Sequence, residues 1–232
     1  TAQQIISDEQ DLLDVMKQQV EMYLASKRVD DSQHKKSLSE ILGVAVYKEK
    51  DQKILDNIAK MCKDDARRIT NIYAASNSAT DELFKEYLAS KAFNQNVKLL
   101  FHGSRNQNWI NILKTGLLIK PAGVITTGSM YGNGIYFADK AIKSIGYSSI
   151  QGSYWARGND TKGFIALYDV NTGVELEHMH HQGWMSSLDR KALLKHGNYD
   201  SFFAKGGANL RNNEYIVYEP AQCTVRYLIE MG

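Results

Sequence analysis

The sequence predicts an all-α region followed by a mixed α+β domain, with the division between residues 93 and 94. Apolar residues before that point recur at the three- and four-residue spacing of helices, whereas short apolar runs typical of strands follow it. Of the 17 glycines, only Gly43 lies before residue 97. Residues 1–96 carry 14 basic and 16 acidic residues, whereas residues 97–232 carry 14 and 10. These differences indicate two architectures, residues 1–93 and residues 94–232.

The composition excludes several classes of protein. With 232 residues, 43% of them hydrophobic and 23% charged, the chain has the make-up of a globular protein rather than a disordered or fibrous one. No apolar run approaches the roughly 18 residues of a membrane span, and residues 1–8 lack a signal-peptide pattern. Cys62 and Cys223 lie far apart, so we expect neither a disulfide framework nor a metal site. We therefore expect an intracellular protein, in the cytoplasm or nucleus, without membrane attachment.

Three apolar stripes at helical spacing predict the helices of the first region. They comprise Leu12, Met16, Val20, Tyr23 and Leu24, then Leu38, Ile41, Leu42 and Ala45, then Ile54, Leu55, Ile58, Cys62, Ala66, Ile69 and Tyr73. We expect residues 76–80 to form a polar loop and Asp81 to lead into a fourth, short helix ending near Leu88. Such stripes are most often the packed faces of a structural bundle.

Short apolar runs between loops predict the strands of the second region. We expect strands at residues 97–101, 135–138, 163–170, 213–218 and 224–229. Helices are predicted at residues 106–115, where Gly116 ends the helix, from an N-cap at Asp139 to about residue 149, and near residues 188–195. The rest of residues 121–132 and 177–209 is predicted to be loop.

The first candidate site follows the strand at residues 97–101, where the sequence reads His102-Gly103-Ser104. Gly103 lets a ligand approach the backbone closely, and the neighbouring imidazole and hydroxyl can form hydrogen bonds to it. A single histidine at a strand end is, however, more often structural than functional.

The second candidate site surrounds the strand at residues 135–138. Gly132 and Gly134 precede Tyr136, and the predicted helix after it places Ser144 and Tyr147 on one face. Two tyrosine rings and a hydroxyl can hold a flat ring that bears an amide, although both tyrosines could equally be core residues. The glycines precede a strand and not a helix, so the segment is not a Rossmann phosphate-binding turn.

The third candidate is Glu214, in the strand at residues 213–218. A carboxylate in a sheet covered on both faces is desolvated, which is costly without a functional reason. The plainer interpretation places Glu214 at a solvated end of the strand.

The order of these motifs closely resembles the catalytic domain of poly(ADP-ribose) polymerases. The motifs are His102-Gly103-Ser104, then Gly134-Ile135-Tyr136-Phe137-Ala138-Asp139, then Asn213-Glu214-Tyr215-Ile216-Val217-Tyr218. The resemblance covers about residues 97–230 and is much weaker before them. It implies a largely antiparallel ADP-ribosyltransferase sheet, with NAD⁺ as cosubstrate and no metal, and an enzyme that transfers ADP-ribose to an acceptor.

The resemblance also implies residue roles. His102, Tyr136 and Glu214 would form the family's His-Tyr-Glu triad, and His102 and Ser104 would bind the adenosine ribose. The Gly103 backbone and the Ser144 hydroxyl would bind the nicotinamide carboxamide, with its ring between Tyr136 and Tyr147. Met130 and Lys143 match positions on the acceptor side, and residues 178–213 would include the acceptor loop. Leu118 stands where a basic residue often lies, and Ser129 where an aromatic often does.

Several readings remain open at the level of sequence. The enzyme could build polymers or transfer a single ADP-ribose unit to protein, itself included, or to nucleic acid. A catalytically silent NAD⁺ or ADP-ribose reader is disfavoured because both His102 and Glu214 are present. A nucleic-acid-binding module is possible but not indicated, because the basic residues form no stripe. The helical region could restrain NAD⁺ entry or simply cover the back of the sheet.

Overall fold

A computed structural model of the chain describes residue 20 and residues 38–91, 93–119 and 129–232. The helices within these ranges are α1 (Leu38–Leu42), α2 (Gln52–Cys62), α3 (Ser78–Ser90), α4 (Trp109–Thr115), α5 (Ala141–Ile145) and α6 (Arg190–Lys195). The strands are β1 (Val44–Lys48), β2 (Ile69–Asn77), β3 (Val97–Gly103), β4 (Ile135–Phe137), β5 (Gly163–Asn171), β6 (Glu175–His178), β7 (Ser201–Ala204), β8 (Glu214–Val217) and β9 (Cys223–Met231).

The strands form two sheets that meet at one point. The larger sheet has the order β1-β2-β9-β5-β3 and is antiparallel throughout, and the smaller has the order β4-β8-β7-β6 with only β6 and β7 parallel. Phe101 of β3 and Ala138 exchange two backbone hydrogen bonds of 2.8 and 2.9 Å, which join the sheets. The predicted α+β class and largely antiparallel pairing are confirmed.

Side-chain alternation along the strands divides the core. Along β5, Ala166 and Tyr168 pack with Trp109 of α4, whereas Ile165 and Leu167 belong to the cluster that contains Ile58 of α2. Successive strand residues point to opposite faces, so the larger sheet is covered on both sides. A third cluster packs β7 and β8 against the segment that contains α6. Strand ends between these clusters are therefore partly shielded from solvent.

Several predicted elements are confirmed close to their predicted limits. The strand at 97–101 extends to Gly103, and the helix predicted at 106–115 comprises a 3₁₀ turn followed by α4. Gly116 ends α4 with a φ of 76°, a left-handed conformation that glycine adopts without strain. The predicted strands at 135–138, 163–170, 213–218 and 224–229 correspond to β4, β5, β8 and β9.

The all-helical prediction for residues 1–93 is wrong for β1 and β2. The third apolar stripe begins as α2, but a 3₁₀ turn follows Cys62 and β2 starts at Ile69. β2 pairs with β9, so a division after residue 93 would cut two strands from the sheet to which they are hydrogen-bonded. Ile69 and Tyr73 continued the helical spacing by coincidence, whereas residues 69–72 hold three β-branched side chains, which favour a strand.

Three smaller predictions are also corrected. Residues 76–80 are not a loop, because β2 runs to Asn77 and its side chain accepts from Ala79 N to cap α3. Asp139 does not cap the next helix, whose N-cap is Lys140 and which ends at Ile145. Residues 177–209 include part of β6 and all of β7 besides the predicted helix. The predictions for Leu12, Met16, Tyr23 and Leu24, and for most of the loop at 121–132, lie outside the described residues.

Candidate active site

A cavity of about 580 Å³ opens where the two sheets meet. That volume is typical of small-molecule and cofactor sites. The residues that line it include His102, Gly103, Ser104, Leu118, Ser129, Tyr136, Lys143, Ser144, Tyr147 and Glu214. The structure thus brings all three sequence motifs to one place, although they are separated by up to about 110 residues. Met130 is not part of this lining, and its carbonyl lies 3.1 Å from His181 Nε2.

His102 is held in one orientation by the backbone of the neighbouring strand. Its Nδ1 lies 2.9 Å from the carbonyl oxygen of Tyr136. Because a carbonyl only accepts, Nδ1 must carry the proton and donate it, which leaves Nε2 of the neutral ring as an acceptor. Burial among aromatic rings, with Phe137 at 5.7 Å, lowers the pKa of His102, and the hydrogen bond to Tyr136 opposes this only in part. The ring therefore stays neutral near neutral pH.

Tyr136 is fixed by its hydroxyl group. The hydroxyl donates to the carbonyl of Gly132 at 2.8 Å and accepts from the backbone N–H of Tyr131 at 3.0 Å. Burial raises the pKa of Tyr136, so the group remains a phenol. With both hydrogen bonds directed away along the preceding turn, the ring is left as a fixed wall of the cavity.

Removing this hydroxyl gives a first testable prediction. Tyr136→Phe leaves the Tyr131 N–H without its partner and removes one of the two donors to the Gly132 carbonyl, which keeps the Gly134 N–H. We therefore expect a loss of about 1–3 kcal/mol in the free energy of unfolding. Urea denaturation measures this loss. Tyr154→Phe is the matched control, because that ring is largely exposed and should cost less than about 0.5 kcal/mol. Equal stability of the two variants would contradict the prediction.

Gly103 lies where β3 and α5 touch. A Cβ atom at Gly103 would stand 1.9 Å from the carbonyl oxygen of Ser144, a distance no side chain can occupy. Ser144 is itself buried. Because Gly103 has no side chain, its backbone can pack directly against Ser144, and both residues line the same cavity.

Glu214 and Lys143 form an ion pair inside the cavity wall. Lys143 Nζ lies 2.7 Å from Glu214 Oε1, and the two side chains are 12% and 7% exposed. Burial raises the pKa of Glu214, while the nearby Lys143 lowers it in part. Burial likewise lowers the pKa of Lys143, with Glu214 opposing. A carboxylate held this way is a stronger base than a solvated one, and it lies in the wall of the cavity.

Tyr147 faces the cavity beyond the end of α5 and not, as predicted, from a helix that continues to residue 149. Its backbone N–H donates to the carbonyl of Ser144 at 3.0 Å in the turn that follows the helix. Its ring stacks on Trp155, with centroids 6.1 Å apart and planes 18° apart. Burial, with a further contribution from Glu214, raises the pKa of Tyr147 to about 12.

Sequence reasoning missed further residues of this cavity. Asn108 and Asn111 line it from the start of α4, and Asn108 Nδ2 donates to Ser104 Oγ at 3.1 Å. Their three-residue spacing opposite the apolar face of α4 is a signal that could have identified them. The sequence patterns predicted Asn213 only as part of a strand and Asp139 as an N-cap, although their side chains form a hydrogen bond of 2.7 Å next to Glu214.

Metal-binding clusters and membrane-spanning helices are both absent from the described residues. Among residue 20 and residues 38–91, 93–119 and 129–232, no three His, Cys, Asp or Glu side chains converge as metal ligands would. Within the same ranges, no helix has both the length and the apolar character needed to cross a bilayer.

Comparison with known proteins gives concordant matches. A family model described as the poly(ADP-ribose) polymerase catalytic domain matches residues 46–232. The chain is 31% identical over 184 residues to a poly(ADP-ribose) polymerase-like protein, 100L, of Invertebrate iridescent virus 6, covering 77% of this chain and 91% of the viral protein. It is 32% identical over 221 residues to poly(ADP-ribose) polymerase 1 of Xenopus laevis, and 30% identical over 187 residues to poly(ADP-ribose) polymerase 2 of Homo sapiens. These matches cover 78% and 70% of this chain but only 21% and 30% of those relatives.

Proposed function

Because the chain belongs to the poly(ADP-ribose) polymerase catalytic-domain family, we propose that it is an NAD⁺-dependent ADP-ribosyltransferase whose reaction takes place in the cavity between the sheets. The observation that carries the proposal is the buried ion pair of Glu214 and Lys143 in the wall of that cavity. It puts a carboxylate of raised pKa within reach of any ligand that is also bound at His102 and Tyr136.

The nicotinamide end of NAD⁺ would lie between Tyr136 and Tyr147. Gly103 packs against the backbone of Ser144, and both residues line the cavity, so the Gly103 backbone and the Ser144 hydroxyl would bind the carboxamide. A flat amide-bearing ring suits this arrangement, because it can stack on aromatic faces and form directed hydrogen bonds at one edge. Tyr136 suits the role because its own hydroxyl is already bonded to the preceding turn.

The adenosine ribose would lie by His102 and Ser104. In the tautomer set by the Tyr136 carbonyl, Nε2 of His102 accepts a hydrogen bond from a ribose hydroxyl. Ser104 Oγ is oriented by Asn108. Leu118 and Ser129 also line this cavity, so an apolar and a small polar side chain stand where relatives often have a basic and an aromatic one.

Glu214 would act on the ribose that bears nicotinamide. As the C1′–N bond breaks, nicotinamide leaves with both bonding electrons and the ribose becomes an oxocarbenium-like cation. The ionised carboxylate stabilises that cation electrostatically. An acceptor hydroxyl then forms the new bond to C1′ and passes its proton to a base, a role that the same carboxylate can fill.

Lys143 tunes this carboxylate, which leads to a second prediction. The ammonium lowers the pKa of Glu214, so Lys143→Met should raise that pKa further. Since the ionised form is the active one, the acid-side midpoint of the pH–rate profile should move to higher pH. Lys162→Met is the matched control, because Lys162 pairs with Glu230, which is not part of the cavity lining. An unchanged or lower midpoint in Lys143→Met would contradict this assignment.

The acceptor in this proposal is a protein, the chain itself included. Lys143 lines the cavity, and Met130 follows the lining residue Ser129 in the sequence. Polymer formation is the favoured outcome, because Glu214 could activate a ribose hydroxyl as the nucleophile. Transfer of a single unit is the second candidate, and an intracellular site of action belongs to the same proposal.

Mass spectrometry of the products after incubation with NAD⁺ tests the proposal. Release of nicotinamide with ADP-ribose added to protein is expected, and a ladder of additions separates polymer formation from a single unit. Release of free ADP-ribose alone would indicate hydrolysis and overturn the transferase assignment. A folded chain that releases no nicotinamide would overturn the enzymatic function altogether.

A further inference from the structure

Glu214 is the first residue of β8, at a place where the backbone pairing on both sides comes to an end. The last pair between β4 and β8 joins Phe137 and Tyr215. The last pair between β7 and β8 joins Ala204 and Glu214 itself. The residue before Glu214 therefore lies beyond both ladders, and the sheet alone does not hold the backbone on that side.

The side chain of Asn213 replaces the missing pairing on both sides. Its Nδ2 donates to Asp139 Oδ2 at 2.7 Å, and its Oδ1 accepts from the backbone N–H of Gly206 at 2.8 Å. Asp139 lies just after β4 and Gly206 just after β7, the two strands that flank β8. One amide thus ties three chain segments together next to Glu214.

The geometry of Asp139 indicates that its hydrogen bond with Asn213 supports the candidate site and not the neighbouring helix. Asp139 does not cap α5, whose N-cap residue Lys140 makes no side-chain cap bond. Its second oxygen, Oδ1, is buried and has no hydrogen-bond partner among the described residues. A carboxylate placed this way costs free energy. Burial lowers the pKa of Lys143, the partner of Glu214, and the charge of Asp139 adds to that of Glu214 in opposing this shift. The same group therefore supports both members of the ion pair.

We propose that Asn213 is a positioning residue for the reaction, which holds the Glu214 carboxylate against Lys143 and the cavity through its hydrogen bonds to Asp139 and Gly206. The proposal rests on the proposed function. Asn213 itself does not line the cavity. It acts by restricting the backbone of its neighbour, and a displacement of about 1 Å at a reacting group can cost of the order of a hundredfold in rate.

The proposal can be tested by exchanging the side chains of Asn213 and Asp139. Asn213→Asp sets two carboxylates 2.7 Å apart, and their repulsion should break the tie. The double variant Asp139→Asn with Asn213→Asp restores a donor opposite an acceptor, leaves an oxygen for the Gly206 N–H, and conserves the net charge. Asn159→Asp is the matched control, because it makes the same change at an exposed residue outside the cavity lining.

The measurements are kcat and KM for nicotinamide release from NAD⁺, together with thermal unfolding of each variant. We expect Asn213→Asp to lower kcat by about tenfold to a hundredfold with little change in KM, and the exchange variant to recover at least tenfold of that loss. The control should stay close to wild type. If the hydrogen bonds of Asn213 were only structural, Asn213→Asp would lower the unfolding temperature without lowering kcat selectively over KM.

The outcomes separate the two levels of inference. An active wild-type chain whose exchange variant is as slow as Asn213→Asp would overturn the positioning role and leave the proposed function intact. The positioning role would also be overturned if kcat fell only in proportion to the unfolding temperature across the variants. A folded wild-type chain that releases no nicotinamide would overturn the proposed function and this role with it.

Discussion

Glu214→Gln is expected to lower the rate of nicotinamide release by about a hundredfold to a thousandfold while NAD⁺ still binds. Glutamine keeps the size of the side chain and its hydrogen-bonding edge, so the cavity keeps its shape. It loses the negative charge that would stabilise the oxocarbenium-like ribose, and it cannot take a proton from the acceptor hydroxyl. The loss should therefore appear in kcat, measured by nicotinamide release, and not in the affinity for NAD⁺.

The control for this variant must separate lost chemistry from a broken ion pair. Glu230→Gln makes the same change in a second ion pair, in which a buried carboxylate of β9 lies 2.6 Å from the exposed Lys162, outside the cavity lining. We expect Glu230→Gln to lose stability but to keep the activity of each folded molecule. Near-normal turnover in folded Glu214→Gln would remove Glu214 from the mechanism. If both variants lost activity equally, the ion pair of Glu214 and Lys143 would support only the fold.

Gly103→Ala is expected to have the second large effect, because its Cβ would be placed 1.9 Å from the Ser144 carbonyl oxygen. β3 and α5 must then separate, which should cost about 1–3 kcal/mol of stability. The same movement pulls apart the two groups proposed to bind the carboxamide. A comparable loss of binding energy corresponds to about a fivefold to 150-fold fall in affinity for NAD⁺.

Calorimetric titration in the Glu214→Gln background measures this affinity without consuming NAD⁺. Gly183→Ala is the matched control, since nothing lies within 4 Å of its added Cβ. That variant should bind NAD⁺ as tightly as its parent. If Gly103→Ala remained folded and bound NAD⁺ with unchanged affinity, the carboxamide would have to be bound elsewhere.

Much of the second region could be predicted because its signals are local. A run of apolar residues that ends in His102-Gly103 predicts β3, and Gly116 predicts the end of α4. The first region was less predictable because local signals conflict there. The stripe from Ile54 onward keeps helical spacing past Cys62, but pairing with β9 stabilises β2 as a strand. Pairing between residues about 160 positions apart leaves no trace in local periodicity.

The candidate site also has a part that the sequence predicts and a part that depends on the fold. The residue types at His102, Tyr136 and Glu214, and their order along the chain, are present in the sequence itself. Their convergence on one cavity depends on the bridge between Phe101 and Ala138 and on the register of β4 with β8. A shift of that register by one residue would turn each side chain to the opposite face.

The sequence alone identifies the chemical groups proposed for the reaction: an imidazole, a set of tyrosine rings and one carboxylate in recognisable motifs. The burial of the carboxylate against Lys143, the contact of Gly103 with Ser144 and the bonds of Asn213 to two strand ends are visible only in the folded chain. They are visible only there because pKa values, close backbone contacts and side-chain hydrogen bonds depend on which groups surround an atom in space. Packing brings those groups together from distant parts of the chain, so local sequence does not contain them.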